Sequence, residues 1–108
     1  MAKLEKTVVG NFDDTLNKIE QGIVRGSISA SLEDASDFHS GDARCSVRVF
    51  ERYSYVGGNR VSLNVTLFQN GEDSIHITAI TSGGSQAIFF KLNTFGEEAF
   101  LDKLEELL

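Results

Sequence analysis

The spacing of apolar residues divides this chain into helical and alternating stretches. Residues 3–9 predict a first strand, with imperfect alternation. Phe12, Leu16, Ile19 and Ile23 then recur at helical spacing. Asn11 reads as the N-cap of that helix, Asp13 and Asp14 suit its first turn, and Gly26 is a natural stop. Ile28, Ala30 and Leu32 alternate as a second strand, and the polar stretch "EDASDFHSGD" reads as a loop.

The stretch "VRVFERYSYVGGNRVSLNVTLF" holds two further strands. Strand three carries its apolar set on odd numbers: Ala43, Cys45, Val47, Val49, Tyr53 and Tyr55, interrupted by Glu51. Strand four does the same with Val61, Leu63, Val65 and Leu67. Directly opposed residues of an antiparallel pair share a face. If the two apolar sets meet, the loop must be of odd length. A three-residue Gly57-Gly58-Asn59 loop sets Tyr55 against Val61 and Tyr53 against Leu63. Strand five has Ile75, Ile77 and Ala79, again odd, so the turn at Asn70-Gly71 is expected to be odd in length or bulged. Strand six switches to even numbers with Ile88, Phe90 and Leu92. A tight Gly83-Gly84 turn would pair Ala79 with Ile88, Ile77 with Phe90 and Ile75 with Leu92.

"TFGEEAFLDKLEELL" opens with Thr94 and Glu97 at capping-box spacing and continues with an apolar stripe of Phe100, Leu101, Leu104, Leu107 and Leu108. The predicted order is β-α-β-β-β-β-β-α, an α+β fold in a single domain over residues 1–108. This order resembles the TBP-like and helix-grip families. That resemblance implies a curved antiparallel sheet, both helices on one face, and a first strand paired with the last. "RCSVRVFERYSYVGGNRVSLNVTL" and "AITSGGSQAIFFKLNTFGEEAFLD" also resemble a family of short bacterial proteins, a domain of unknown function. It implies no catalytic residue.

Composition narrows the classes. Of 108 residues, 41% are hydrophobic and 24% charged, as in an ordinary globular domain. A net charge of −6 argues against general nucleic-acid binding. The charge is uneven: Glu33, Asp34, Asp37 and Asp42 cluster in one stretch, whereas Arg44, Arg48, Arg52 and Arg60 face only Glu51 in the next. One cysteine forbids an internal disulfide, "MAKLEK" opens no secretory signal, and no run approaches membrane-span length. A cytoplasmic protein away from membranes is the simplest expectation.

Glu51 sits on the apolar parity of strand three, where a carboxylate needs a partner. It is either a bulged or strand-end residue turned outward, or, with Tyr53 and Tyr55, the polar lining of a small-molecule pocket between the sheet and the C-terminal helix. His76 has the opposite parity and cannot form an acid/base dyad with Glu51. The outer face, even-numbered on strands three to five and odd-numbered on strand six, carries Arg44, Arg48, Phe50, Arg52, Arg60, Phe68, His76, Ile80, Phe89 and Lys91. Arginine interleaved with phenylalanine on an uncovered sheet face has the composition of a protein interface, with Arg48, Phe50, Arg52, Phe68 and Phe89 as its candidate residues.

Other motifs carry less. "TSGGSQ" lacks the lysine and the following helix of a phosphate loop. Asp34, Asp37, His39 and Asp42 match no calcium or zinc spacing, so no metal and no cofactor are expected. Cys45 shares the apolar parity and reads as an inert core thiol. No nucleophile-histidine constellation is recognisable. The reading favours a noncatalytic binding domain that self-associates through the open face of its sheet, with the ligand pocket as the alternative.

Overall fold

The structure, a computed structural model, describes residues 2–26, 29–54, 59–83, 101–102 and 104–108. β1 (Ala2–Val9) leads into α1 (Phe12–Arg25), followed by β2 (Ser31–Ser40), β3 (Ala43–Ser54), β4 (Asn59–Asn70) and β5 (Ser74–Gly83). Helix α2 contributes residues 101–107, apart from 103. The strands form one open antiparallel sheet in the order β1-β5-β4-β3-β2. The α+β class and the element order agree with the sequence pattern, and β1 pairs with the last described strand.

α1 begins where its sequence says it should. The Asn11 side chain accepts a hydrogen bond from the Asp14 N–H, Asp13 and Asp14 occupy the positive end, and the Gly26 N–H closes onto the Gly22 carbonyl. Its stripe of Phe12, Leu16, Ile19 and Ile23 is buried against the sheet. Val61, Leu63, Val65 and Leu67 on β4 and Ile75, Ile77 and Ala79 on β5 supply the floor of that core, and Leu101 and Leu104 of α2 close it. Leu107 of α2 lies directly against Gly22 of α1, so the absent side chain at that position lets the two helices touch.

Three sequence expectations change. "EDASDFHSGD" is mostly strand: β2 runs to Ser40, and a two-residue Gly41-Asp42 turn, with Gly41 at φ +56°, pairs Ser40 with Ala43. A β-bulge between Leu32 and Asp34 leaves Glu33 as the extra residue. The β3–β4 register pairs Ser54 with Asn59, Phe50 with Leu63 and Arg48 with Val65, so the even residues of β3 share a face with the odd residues of β4. The proposed Tyr53–Leu63 pairing is therefore displaced. Both edges of β5 are occupied, Ala79 by Leu4 and Val65, Ile77 by Lys6 and Leu67. A sixth strand cannot pair there in the register Ala79–Ile88. The sixth strand itself, Tyr55 to Gly58, and the Thr94–Glu97 cap lie outside the described residues. The β4–β5 connection keeps its expected odd length, three residues with Gly71 at φ +71°.

Replacing Gly22 by valine puts a branched side chain where Leu107 packs, a clash set against the small gain in helix propensity over glycine. The variant is expected to lose roughly 1–3 kcal/mol of stability in urea denaturation, the usual cost of overpacking; unchanged stability would mean that the helix contact contributes nothing.

Candidate interaction surface

Two acids on α1 meet two arginines on β3. Asp13 and Glu20 are seven residues apart, about 10 Å along a helix. Arg44 and Arg48 are four apart, about 13 Å along a strand. The spacings match, and α1 lies along β3 with both pairs engaged. Arg44 holds Asp13 through two parallel bonds, at 2.6 and 3.1 Å, and stacks over the Phe12 ring at 4.3 Å. The bond from Arg44 holds the Asp13 carboxyl below its ordinary range.

Arg48 lies deeper, at 6% exposure. One guanidinium nitrogen reaches Asp37 Oδ1 at 2.9 Å and donates to the Val47 carbonyl at 3.0 Å. A second donates to Asp37 Oδ2 at 3.2 Å. Its Nε faces Glu20 at 3.6 Å. The Ser46 hydroxyl donates to the same aspartate, and together Arg48 first and Ser46 second hold the Asp37 carboxyl below the usual value. Buried charge is tolerated when it is paired and hydrogen-bonded; both terminal nitrogens of Arg48 are hydrogen-bonded, while its Nε has only the longer ion-pair contact with Glu20.

Ser46, Arg48 and Phe50 thus point at the helices, and Phe50 is wholly buried. β3 must then turn its other set outward. Cys45, Val47 and Val49 lie half-buried on the open face, with Glu51 and Tyr53 on the same side. The expectation that Cys45 is a core thiol is corrected by that reversal. So is the interface built from Arg48, Phe50 and Arg52: all three share the helix side with Leu63, Val65 and Val61. Only Phe68 of that set is on the open face, and Phe89 lies outside the described residues.

Glu51 and Tyr53 do not line a pocket under α2, because they are on the opposite side of the sheet; Tyr55 lies outside the described residues. Glu51 is half-exposed and accepts a 2.8 Å bond from Arg60 Nε. These two residues, with Ser62, Ser82 and Gly83, border a polar hollow of about 340 Å³. The Ser62 and Ser82 hydroxyls are 2.8 Å apart there. Of the acidic cluster, Asp34 is on the open face while Asp37 and His39 share the helix side, so β2 separates them. His76 joins Thr7 at 3.2 Å on the open face.

Across this face the register lines up rows of side chains. One row reads Phe38, Cys45, Phe68, His76 and Thr7. The third reads Asp34, Val49, Asn64, Ile80 and Lys3, separated from the first by Ser36, Val47, Thr66, Thr78 and Glu5. The exposed large hydrophobic residues are concentrated here: Val9, Phe38, Tyr53, Phe68 and Ile80, against Leu32 and Val24 elsewhere. Phe38 is 61% exposed, and Phe68 and Ile80 are each 39% exposed. Beside them, Asp34, Ala35, Ser36, Val47 and Val49 border an open hollow of about 130 Å³.

Apolar parity assigns Val47 and Val49 to the core, and Phe38 stands in a stretch whose polar composition reads as a loop. The Gly41-Asp42 dipeptide was the available signal, since a two-residue hairpin there sets Phe38 opposite Cys45. Among the described residues, no three His, Cys, Asp or Glu side chains converge as metal ligands, and no helix is long and apolar enough to cross a membrane. A family model described as a family of unknown function matches residues 1–108. No curated protein and no solved structure matches the chain.

Arg48→Ala leaves Asp37 and Glu20 without their cation and opens a void beneath α1. A loss of about 2–3 kcal/mol is expected, below the figure for a fully buried pair because both acids reach water. Arg48→Met, which keeps the volume, is expected to cost less. Equal losses in urea denaturation would mean that the void contributes nothing and that the lost cation accounts for the whole effect. The depressed Asp37 carboxyl adds stability above the unfolded-state value of about 3.9, and that contribution disappears as pH falls further, through the lower folded-state value. Asp37→Asn should therefore show a shallower fall in melting temperature than wild type below about pH 4.

Proposed function

We propose that this chain, which belongs to the DUF6054 family of unknown function, is a noncatalytic domain that associates with a second copy of itself through the open face of its sheet. One observation carries the reading. β3 directs Ser46 and Arg48 into the core and leaves Cys45, Val47 and Val49 on a face that no described element covers. A strand that turns its valines outward beside Phe38, Phe68 and Ile80 builds an apolar patch rimmed by polar residues, the usual composition of an association surface.

The size fits. Five strands about 4.8 Å apart and four rows about 7 Å apart, the fourth being Glu51, Ser62 and Ser82, give a face of roughly 24 by 28 Å. Two such faces bury about 1,300 Å² together, within the range of stable interfaces. The acidic composition and the single cysteine favour the cytoplasm as the setting.

Sedimentation velocity tests this reading. Wild type is expected to reach a dimer at tens of micromolar protein. Phe68→Ser and Phe38→Ser are expected to shift it towards monomer by at least tenfold in Kd, with unchanged far-UV circular dichroism, because both residues are exposed in the single chain. A wild type that stays monomeric at all concentrations would refute the reading.

A further inference from the structure

The register of the open face specifies how two copies would meet. This inference rests on the self-association just proposed and adds its geometry. β4 is the central strand, with β5 and β3 on either side and β1 and β2 at the edges. A two-fold axis running along β4, in the plane between two facing sheets, exchanges β5 with β3 and β1 with β2 while leaving each row at its own height. An isologous contact of this kind is self-complementary only if the two halves of each row fit one another.

They do in the row that carries the edge charges. Ile80 falls on Val49 of the other copy and Lys3 falls on Asp34. Ile80 is an exposed knob, and Val49, with Val47 and residues 34–36, forms the 130 Å³ hollow beside the β2 bulge. Lys3 and Asp34 are opposite charges at opposite edges of the same sheet. The long stem of lysine covers the stagger that sheet twist introduces at the rim. In the row containing Phe68, that ring meets its own symmetry mate at the centre. The other in-plane axis, perpendicular to the strands through the row of Glu5, fits less well. It sets Glu5 on Glu5, Phe38 on Asp34 and Phe68 on Asn64.

We infer that two copies of this chain pair through a two-fold axis along β4, with Ile80 of each copy seated in the hollow at the β2 bulge of the other and Lys3 paired with Asp34 at both rims. The pairing makes a specific demand on charge. Lys3→Glu alone sets like charges together at both rims, and so does Asp34→Lys alone. A mixture of the two variants forms a heterodimer in which both rims again pair opposite charges.

Sedimentation velocity at low salt reads this directly. Each single variant is expected to weaken homodimerisation about tenfold or more in Kd, and an equimolar mixture to recover near wild-type affinity. High salt should shrink the difference. If both variants dimerise as wild type does, or if mixing restores nothing, this geometry is overturned while self-association through the face stands. If wild type does not associate at all, both fall.

Discussion

The burial of Arg48 beneath α1 decides which side of the sheet is which. Its guanidinium is held by Asp37 from the edge strand, by Glu20 from the helix and by the Val47 carbonyl of its own strand. Ser46 adds a hydroxyl to the same aspartate. With Arg48 inward, Phe50 follows two residues later and fills the core beside Leu63. The alternation of a strand allows no other outcome for the residues between them. Val47 and Val49 must face out.

The two halves of the helix-side face are consequently different in kind. Over β4 and β5 the core is aliphatic, made by the odd-numbered residues of Val61 to Leu67 and Ile75 to Ala79 with the leucines of α2. Over β3 and β2 it is an ordered set of charges that orients α1: Asp13 on Arg44 at one end, Glu20 towards Arg48 two turns later. Ion pairs of this kind add little net stability where they are exposed. Their effect here is positional, because they fix α1 along β3 and so choose the face. The acids of β2 also mark the sheet edge, where the Glu33 bulge and charged side chains discourage further strand pairing.

Much of this was legible in the residues. The cap at Asn11, the stripe of α1, the apolar sets of β4 and β5 and the odd β4–β5 turn all follow from local spacing. The face of β3 does not. Its odd residues are more apolar than its even ones, so parity alone sends Cys45, Val47 and Val49 to the core. What overrides parity is a set of partners for Arg48 distant in sequence, Glu20 and Asp37, and no periodicity reports them. β2 was obscured for a related reason: an edge strand needs no apolar alternation, and its acids read as a loop. Glu51 changed most. It is an outward carboxylate bonded to Arg60, on the face opposite the helices.

Cys45, the chain's one cysteine, lies within the row of Phe38 and Phe68 and reports on the whole account. The rate at which a thiol reagent labels it in the native protein, measured as a function of protein concentration, is the most direct test. Labelling is expected to proceed in the folded chain at low concentration and to slow as concentration rises and the faces meet. A rate limited by global unfolding and independent of concentration would contradict the account, since it would put Cys45 in the core and its valine neighbours with it.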